Sequence, residues 1–302
     1  MAVPDPIVPN GAGDRVGAGP GERHSAPPLE SRLAGLLERL SGLGGLLVAF
    51  SGGTDSAFLL AAAVRALGAA QVVAGTAVSP SLPAAELAAA AAFAGELGVR
   101  HETPRTQELA REGYAANGGD RCYFCKAELL DVLRPVADRL GLMEVATGTN
   151  ADDAVAGFRP GIRAAAERGA LTPLRDAGLS KAEIRGLSRE WGLSTWDKPA
   201  AACLSSRIAY GLRITPARLA RVEVAERALR ASLTGAGYAV VDLRVRDVGD
   251  GVARVEVDRA LAPVLAGRPE LLSVVSGFDT VTVDPRGFRS GSMNEVLPDS
   301  YR

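Results

Sequence analysis

The sequence has few residues of the kinds that cross-link a chain or anchor it in a membrane. Three cysteines in 302 residues are an odd number and too few to staple a protein of this length, which argues against a secreted disulfide scaffold. No apolar run approaches the roughly 18 to 20 residues of a membrane span, because residues 41–45 are mostly serine and glycine. A net charge of −1 gives no overall field for a nucleic-acid backbone, so nucleic acid is not an expected partner, although a local basic patch stays open.

The abundant residues describe a globular protein with a polar first segment. Apolar residues make up 47% of the chain and charged residues 23%, enough for a sizeable core in one large domain or two ordinary ones. Residues 1–29 are rich in proline and glycine and lack the apolar stretch of a secretory signal. We therefore predict a disordered tail at 1–29 and a cytoplasmic protein.

Apolar runs and helical stretches alternate from Leu46 to about Gly148. This alternation predicts a doubly wound parallel α/β sheet with helices on both faces, because parallel neighbours need crossovers. The predicted strands are at 46–50, 71–78, 99–104 and 143–148, and the predicted helices at about 54–67, 83–97 and 123–140.

The second half of the chain has a different pattern. Helical pieces over 152–215, one of them opened by a predicted capping box of Ser180 and Glu183, are expected to cover the open edge of the sheet. A helix at about 217–233 then precedes strands at 239–248, 252–258 and 279–284. We predict one domain over 30–209 and a smaller C-terminal α+β domain over 210–302.

The segment Ser51-Gly52-Gly53-Thr54-Asp55-Ser56 follows the first predicted strand and opens a helix. Glycines let the backbone approach a ligand closely, the hydroxyl groups are hydrogen-bond donors, and a helix N-terminus directs free N–H groups at an anion. The segment is not a Walker A motif, since it has no lysine. Phosphate is the expected ligand, and a structural strand-to-helix turn is the alternative.

Cys122 and Cys125 are separated by two residues, whereas Cys203 lies far away in sequence. A CxxC pair is found in redox dithiols, zinc sites and iron–sulfur sites, and a zinc site with three cysteines would need His24 or His101. Three thiolates around a [4Fe–4S] cluster would leave one iron open to substrate or to an additional sulfide.

The surroundings of Cys203 favour a reactive thiol. Lys198 and Arg207 flank it in sequence, and nearby cations favour the thiolate, which is the form that attacks and ligates. An inert buried thiol is the alternative.

Polar residues follow or occupy other predicted strands. Asn150, Asp152 and Asp153 should lie at the same sheet edge as the phosphate segment, where acidic groups suit Mg²⁺ and an asparagine suits a nucleotide; helix capping is the alternative. Arg244 and Arg246 alternate along one strand, so their guanidinium groups share a face and form a fork for a phosphate, unless that face is simply solvated.

Seven motifs together resemble, in order, those of the LarE family of PP-loop sulfur transferases. The likeness runs from about Leu46 to Glu295, and its most specific parts are around Cys203 and at 289–294. The SGGTDS segment alone indicates only the wider PP-loop ATP pyrophosphatase superfamily, whose members split ATP between the α and β phosphates. The motifs are SGGTDS, RCYFCK, GTNADD, RPG, TPLRDAGLSKAEIR, TWDKPAAACLSSRI and GFRSGSMNE.

The resemblance implies an enzyme that uses ATP and Mg²⁺ to adenylate the carboxylates of pyridinium-3,5-biscarboxylic acid mononucleotide and then replaces the activated oxygen with sulfur. The product would serve the nickel-pincer nucleotide cofactor of lactate racemase. The implied nucleotide site comprises residues 51–56, Thr76, Val78, Asn150 and Asp153, with adenine expected around Thr76 and Val78 and Mg²⁺ on Asp55 and Asp153. Candidate catalytic residues are Cys203, Asp55, Lys126 and Arg207, and Arg244 and Arg246, supported by Glu256, are candidates for the substrate phosphate.

Members of this family differ in their source of sulfur. Some carry only the cysteine that matches Cys203 and sacrifice it, leaving dehydroalanine. Others hold a [4Fe–4S] cluster on three cysteines and deliver an additional sulfide from it. Because this chain has the three-cysteine pattern, Cys122, Cys125 and Cys203 are expected to hold a cluster supplied by a sulfide donor. A homo-oligomer is also expected from the resemblance.

Three other functions stay open. A PP-loop tRNA thiolase would need an added RNA-binding domain or strong basic patches, and neither is visible in the sequence. An amidating ligase would need an ammonia source and no cysteine triad. A regulator that senses iron or redox state would bind ATP without releasing pyrophosphate.

Overall fold

The computed structural model describes residues 27–155, 159–199 and 203–298. The predicted tail at 1–29 and His24 lie almost wholly outside these residues. The first helix, α1 (Leu29–Ser41), begins at the end of the predicted tail and precedes the first predicted element.

Four parallel strands form the first sheet, in the order β3-β2-β1-β4. Every strand lies within its predicted run, and all four residues of the central β1 are buried because helices cover both faces. The strands are β1 (Leu46–Ala49), β2 (Val72–Gly75), β3 (Arg100–Glu102) and β4 (Glu144–Thr147).

Alternate residues of β1 contact the two helical layers. Leu46 and Val48 pack in the same apolar cluster as Phe58, whereas Leu47 packs in a second cluster with Leu133. This confirms the doubly wound α/β prediction. The helices of this part are α2 (Thr54–Leu67), α3 (Ala84–Glu96), α4 (Glu112–Ala115), α5 (Arg121–Arg139), α6 (Ala151–Val155), α7 (Pro160–Glu167), α8 (Pro173–Asp176) and α9 (Lys181–Glu190), with short 3-10 turns at Ala69–Gln71 and Glu108–Ala110.

The segment after α7 covers the edge of the sheet at β4, as predicted. Leu171 forms an isolated parallel bridge with Ala146: its N–H donates to the Val145 carbonyl and its carbonyl accepts from the Thr147 N–H, each at 2.9 Å. The predicted capping box is also present at the start of α9. The N-terminus of α9 is therefore fixed close to the carboxyl ends of the strands.

A second sheet of three strands lies in the C-terminal part, in the order β5-β6-β7. The first pair is antiparallel and the second parallel, and this mixed sheet with its helices confirms the α+β prediction. The elements are α10 (Pro216–Gly235), β5 (Leu243–Asp247), β6 (Val252–Val257), α11 (Ala262–Ala266), α12 (Pro269–Leu272) and β7 (Thr280–Val283), with 3-10 turns at Leu204–Arg207 and Ser292–Val296.

The two parts meet around the segment that follows Cys203. Leu204 and Ile208 pack in one apolar cluster with Tyr114 from α4 and with Leu219 from α10. The predicted domain boundary near residue 210 thus falls inside a continuous apolar contact, and it stays a prediction.

Across the described ranges, no helix combines the length and apolar character needed to cross a membrane.

Candidate functional site

A cavity of about 620 Å³ opens at the carboxyl ends of the first sheet, where ligands bind in open α/β folds. The phosphate segment forms one part of its wall and the three cysteines form another. The predicted site residues that line it are Ser51, Gly53, Thr54, Asp55, Ser56, Thr76, Cys122, Cys125, Lys126, Asp153 and Cys203. The other predicted residues, Gly52, Val78, Asn150, Arg207, Arg244 and Arg246, lie behind or beside it.

The phosphate segment turns the chain from β1 into α2. Gly52 has φ +72°, a left-handed conformation that favours glycine. No side chain caps the N-terminus of α2, so its first N–H groups remain available for an anion. Ser51 and Ser56 place their Oγ atoms 3.1 Å apart, whereas the Thr54 hydroxyl donates to the Thr195 carbonyl at 2.8 Å and has a structural role.

The end of β4 packs closely against the first turn of α2. A Cβ atom added to Gly148 would lie 2.8 Å from the Ser56 backbone nitrogen, so only glycine allows this approach. The close packing brings residues 149–153 beside the phosphate segment, as the strand order predicts.

Asp55 and Asp153 form an acidic pair in the cavity wall. Asp55 Oδ2 accepts from Asn150 Nδ2 at 3.3 Å, whereas Asp55 Oδ1 is buried and has no hydrogen-bond partner among the described residues. Burial raises the pKa of Asp55, the charge of Lys181 opposes this rise, and the charge of Asp153 adds to it. A buried carboxylate oxygen without a partner, next to a second carboxylate, suits Mg²⁺.

Asn150 and Asp152 also cap helices. Asn150 Oδ1 accepts from the Asp153 N–H at 3.0 Å at the start of α6, and Asp152 Oδ2 accepts from the Lys181 N–H at 2.8 Å at the start of α9. The capping interpretation therefore applies to Asn150 and Asp152, whereas Asp153 lines the cavity and its contact with Mg²⁺ stays a prediction. Asn150 caps a helix and contacts Asp55, while Asp152 is a cap outside the cavity.

Three cations that line the cavity were not among the predicted nucleotide-binding residues. Lys181 and Arg185 lie four residues apart on α9, and Lys198 Nζ donates to the Gly52 carbonyl at 3.0 Å and to Glu86 Oε2 at 2.7 Å. Arg185 Nη2 donates to the Lys198 carbonyl at 2.9 Å. The Ser180–Glu183 capping box predicts the start of α9 from the sequence. The four-residue spacing of Lys181 and Arg185 therefore indicates that both cations lie on one face of this helix.

The predicted adenine region is only partly in the wall. Thr76 lines the cavity, and its hydroxyl donates to the Phe50 carbonyl at 2.7 Å and lies 2.8 Å from His101 Nε2. The backbone N–H and carbonyl of Val78 form hydrogen bonds with the segment after β3. Its neighbours Ala77 and Ser79 line the cavity. The adenine position stays a prediction.

The three cysteines converge on the cavity from two elements. Cys122 and Cys125 lie on the first turn of α5, and Cys203 immediately precedes the 3-10 turn at Leu204–Arg207. Burial raises the pKa of Cys125, and the charges of Cys203, Glu108 and Cys122 raise it further.

The sulfur atoms do not converge on one point. Among the residues that the structure describes, no three histidine, cysteine, aspartate or glutamate side chains are grouped as ligands of a single metal ion. His101, the described histidine that a zinc site would use, hydrogen-bonds with Thr76 instead. Three thiols that line one cavity are a donor set that suits an iron–sulfur cluster, in which each thiolate binds a different iron. The cluster stays a prediction.

Two buried cations accompany the thiols. Burial alone would lower the pKa of the Arg121 guanidinium. The charges of nearby groups, led by Cys203 and Cys122, have the larger effect and raise this pKa. Burial lowers the pKa of Lys126, while Cys125 and Cys122 partly oppose this. Arg121 and Lys126 are therefore positive charges that the chain places beside the three thiols.

Arg207 supports the Cys203 segment from behind. It forms an ion pair with Glu226 at 2.9 Å and donates from Nη1 to the Cys203 carbonyl at 3.2 Å. The guanidinium group is buried and does not line the cavity, so it positions Cys203 through the backbone.

Arg244 and Arg246 share one face of β5, and that face is buried instead of solvated. Arg246 pairs with Glu256 at 2.8 Å and donates to the Ser206 carbonyl at 2.9 Å. Burial lowers the pKa of Arg244, and the charges of Arg207 and Arg246 lower it further. Three arginines therefore lie close together beside the Cys203 segment.

Comparison with known proteins gives relatives that match over part of the chain or nearly all of it. No protein-family model matches the chain. An uncharacterised protein of Synechocystis is 43% identical over 276 residues, covering 89% of this chain and 99% of that protein. An uncharacterised protein of Methanocaldococcus jannaschii is 28% identical over 176 residues, covering 58% of this chain and 66% of that protein.

A relative with a named activity matches over a similar length. The pyridinium-3,5-bisthiocarboxylic acid mononucleotide synthase of Lactiplantibacillus plantarum is 34% identical over 272 residues, covering 89% of this chain and 96% of that protein. With this identity over nearly the whole of both proteins, the chain belongs to the LarE family.

Proposed function

We propose that the protein is an ATP-dependent sulfur transferase that converts the carboxylates of pyridinium-3,5-biscarboxylic acid mononucleotide into thiocarboxylates, for nickel-pincer nucleotide biosynthesis. One observation carries the proposal: the phosphate segment, the acidic pair and all three cysteines line the same cavity. A carboxylate activated in this cavity is therefore within reach of sulfur chemistry without leaving it. The name of the relative from Lactiplantibacillus plantarum supports the same conclusion.

The first step is adenylation of the acceptor. A carboxylate oxygen attacks the α phosphorus of ATP, the bond from that phosphorus to the bridging oxygen breaks, and pyrophosphate leaves with the electron pair. The uncapped N–H groups of α2 and the hydroxyl groups of Ser51 and Ser56 are suited to hold the phosphates. Lys181 and Arg185 would offset the charge that develops on pyrophosphate.

Asp55 and Asp153 would hold Mg²⁺, which would neutralise charge on the phosphates. The fit rests on the buried, unpartnered Oδ1 of Asp55.

The second step replaces the activated oxygen with sulfur. A sulfide nucleophile attacks the acyl carbon, the bond from that carbon to the adenylate oxygen breaks, and AMP leaves with the electron pair. Cys122, Cys125 and Cys203 would hold a [4Fe–4S] cluster, which would supply an iron without a protein ligand and with it an additional sulfide. Two rounds give the bisthiocarboxylate.

The arginine cluster is the proposed site for the phosphate of the acceptor. Burial and the charges of Arg207 and Arg246 lower the pKa of Arg244, while Glu226 and Asp242 oppose this, so a further anion beside Arg244 would stabilise its charged form. The contacts of the cluster with the Cys203 segment place it beside the proposed sulfur site.

Pyrophosphate release tests the proposed function against its rivals. We expect release from ATP and Mg²⁺ when the pyridinium dicarboxylate nucleotide is added, and none above background with tRNA or with ammonia and a carboxylate acceptor. Release with tRNA would favour a tRNA thiolase, and ATP binding without release under any condition would favour a regulator.

Iron and acid-labile sulfide test the source of sulfur separately. Protein purified without oxygen is expected to carry about four of each per chain, and a Cys203→Ala variant is expected to lose most of both. Metal-free protein that still thiolates its acceptor once would mean that Cys203 is itself the sulfur donor.

A further inference from the structure

Glu108 is a buried carboxylate in the cavity wall for which the proposed chemistry has no use. Only 3% of the residue is exposed, and it lines the cavity from the 3-10 turn at Glu108–Ala110. One oxygen, Oε1, accepts from the Ser81 hydroxyl at 2.9 Å. The other oxygen, Oε2, is buried and has no hydrogen-bond partner among the described residues.

A carboxylate in such a place is costly unless a positive charge compensates it. Within the described parts of the chain, no arginine, lysine or histidine forms an ion pair with Glu108. The buried guanidinium of Arg121 donates to Asn117 and to the Ser205 carbonyl instead. The negative charge of Glu108 in the cavity wall therefore has no cation paired with it among the described residues, and a bound ligand could supply one.

The location of Glu108 connects it with the sulfur side of the cavity. The next residue, Leu109, packs against the same apolar cluster as Cys125. On the other side of Glu108, the Gln107 N–H donates to Glu128 Oε1 of α5 at 2.9 Å, so Glu108 lies against the helix that carries Cys125. Its partner Ser81 accepts from the Leu204 N–H at 2.8 Å through its backbone carbonyl, which joins it to the segment after Cys203. The cations Lys181, Arg185 and Lys198 line the cavity around the phosphate segment. Lys126 lines it beside Cys125 but forms no ion pair with Glu108 among the described residues, so the wall also carries one unpaired negative charge on the sulfur side.

This charge pattern matches an acceptor with a cationic ring. We propose that Glu108 determines specificity for the positively charged pyridinium ring of the acceptor, by holding an unpaired negative charge beside the thiols where that ring must lie to be thiolated. The inference rests on the proposed function and identifies one recognition element for it. Contact with Oε2 is not required, because charges attract over several ångströms in a site shielded from water.

A neutral analogue isolates the contribution of the ring charge. The probe is the acceptor mononucleotide with its pyridinium ring replaced by a benzene ring that keeps both carboxylates. For the wild-type protein we expect a KM for the pyridinium nucleotide at least about tenfold below that for the benzene analogue, measured as acceptor-dependent pyrophosphate release. The ratio is also expected in calorimetric binding of both compounds with a non-cleavable ATP analogue, which needs no cluster and no turnover.

Glu108→Gln keeps the size of the side chain and an oxygen for the Ser81 hydroxyl but removes the charge. It is expected to reduce the KM ratio between the two acceptors to within about twofold of unity, mainly by raising the KM of the pyridinium nucleotide. Glu108→Asp keeps the charge and should retain a preference for the cation. Glu112→Gln, a nearby exposed glutamate that pairs with Arg213, is the matched control and should leave the ratio unchanged.

The outcomes separate the two proposals. Absence of pyrophosphate release with either acceptor in the wild type defeats the proposed function. Release in the wild type without preference for the pyridinium nucleotide overturns the role of Glu108, and this result needs no variant to fold. A Glu108→Gln protein that keeps the full preference, or that raises the KM of ATP as much as that of the acceptor, overturns it as well.

Discussion

Buried carboxylates in the two parts of the molecule differ in whether arginines of the protein compensate their charge. In the second sheet, Asp247 and Glu256 are fully buried, and each is held by two arginines: Asp247 by Arg218 and Arg221, Glu256 by Arg246 and Arg254. Around the cavity, Asp55 and Glu108 each keep one buried oxygen without a hydrogen-bond partner among the residues that the structure describes.

The difference separates structural charge from functional charge. A buried ion pair that the protein completes by itself is costly to break, because the remaining charge then has no compensation. A buried carboxylate that the protein leaves incomplete lowers stability and is available to a metal ion or a cationic ligand. The buried carboxylates of the C-terminal sheet are therefore compensated by arginines of the protein and stabilise the fold. The two carboxylates in the cavity wall are available to ligands that bring positive charge.

The largest expected effect is on the stability of the C-terminal sheet. Glu256→Gln would leave the buried guanidinium of Arg246 without its ion pair, so we expect the free energy of unfolding to fall by about 3 to 5 kcal/mol. Urea unfolding followed by circular dichroism measures it. Glu270→Gln, in an exposed pair with Arg268, is the control and should leave the free energy of unfolding nearly unchanged, because exposed ion pairs contribute little. Equal stability of the two variants would remove the distinction between the regions.

The reverse pattern is expected at Asp55. Asp55→Asn removes a carboxylate whose pKa is raised by burial, so stability at neutral pH should be unchanged or higher. Pyrophosphate release should nevertheless fall by about 100- to 1,000-fold, because the charge that would hold Mg²⁺ is lost. Calorimetry and pyrophosphate release on the same preparation test both parts. A variant that is less stable and still active would contradict the account.

Lys198 gives a smaller effect. It joins the Gly52 carbonyl to Glu86 and so holds the phosphate segment against α3. We expect Lys198→Met to raise the KM for ATP by about tenfold, as for the loss of one charge-assisted hydrogen bond. The KM of the acceptor should change little, and Lys181→Met is the comparison for a cation that lines the cavity near Asp55. An unchanged KM for ATP would mean that the segment is held without Lys198.

The smallest effect tests whether the contribution of a carboxylate to stability depends on its pairing with a cation instead of on its place in the molecule. Glu183 lies in the cavity half but is paired with Arg32 and with Ser180, and this pairing, led by Arg32, lowers its pKa to about 2. Its stabilising contribution should be fully present above its ordinary pKa of 4.5 and be lost as pH falls through about 2. Glu183→Gln should therefore be less stable than wild type by about 1 kcal/mol at pH 6, and the gap should close toward pH 2. A gap that does not depend on pH would contradict the ionic contribution.

Sequence patterns predict the parts of this molecule that depend on local order. The four strands of the first sheet and the start of α9 follow from hydrophobic periodicity and the Ser180–Glu183 capping box, because these signals act within one element. The phosphate segment is recognisable for the same reason. Its glycines and hydroxyl groups are consecutive.

Contacts between distant segments are not readable in this way. Nothing adjacent to Glu108 indicates that it lies beside Cys125, or that Ser81 would hold it, since 27 residues separate the two partners. The pairing of Arg246 with Glu256 depends on the register of two antiparallel strands. Asp152 and Asp153 are neighbours in sequence, yet one caps a helix and the other lines the cavity.

The amount of product per chain tests the central claim most directly. Protein purified without oxygen, supplied with ATP, Mg²⁺, sulfide and the pyridinium dicarboxylate nucleotide, should form several thiocarboxylate groups per chain while the mass of the Cys203 peptide stays unchanged. Formation of no thiocarboxylate would contradict the proposed function, and formation of at most one per chain, with Cys203 converted to dehydroalanine, would contradict a sulfur site built from three retained cysteines.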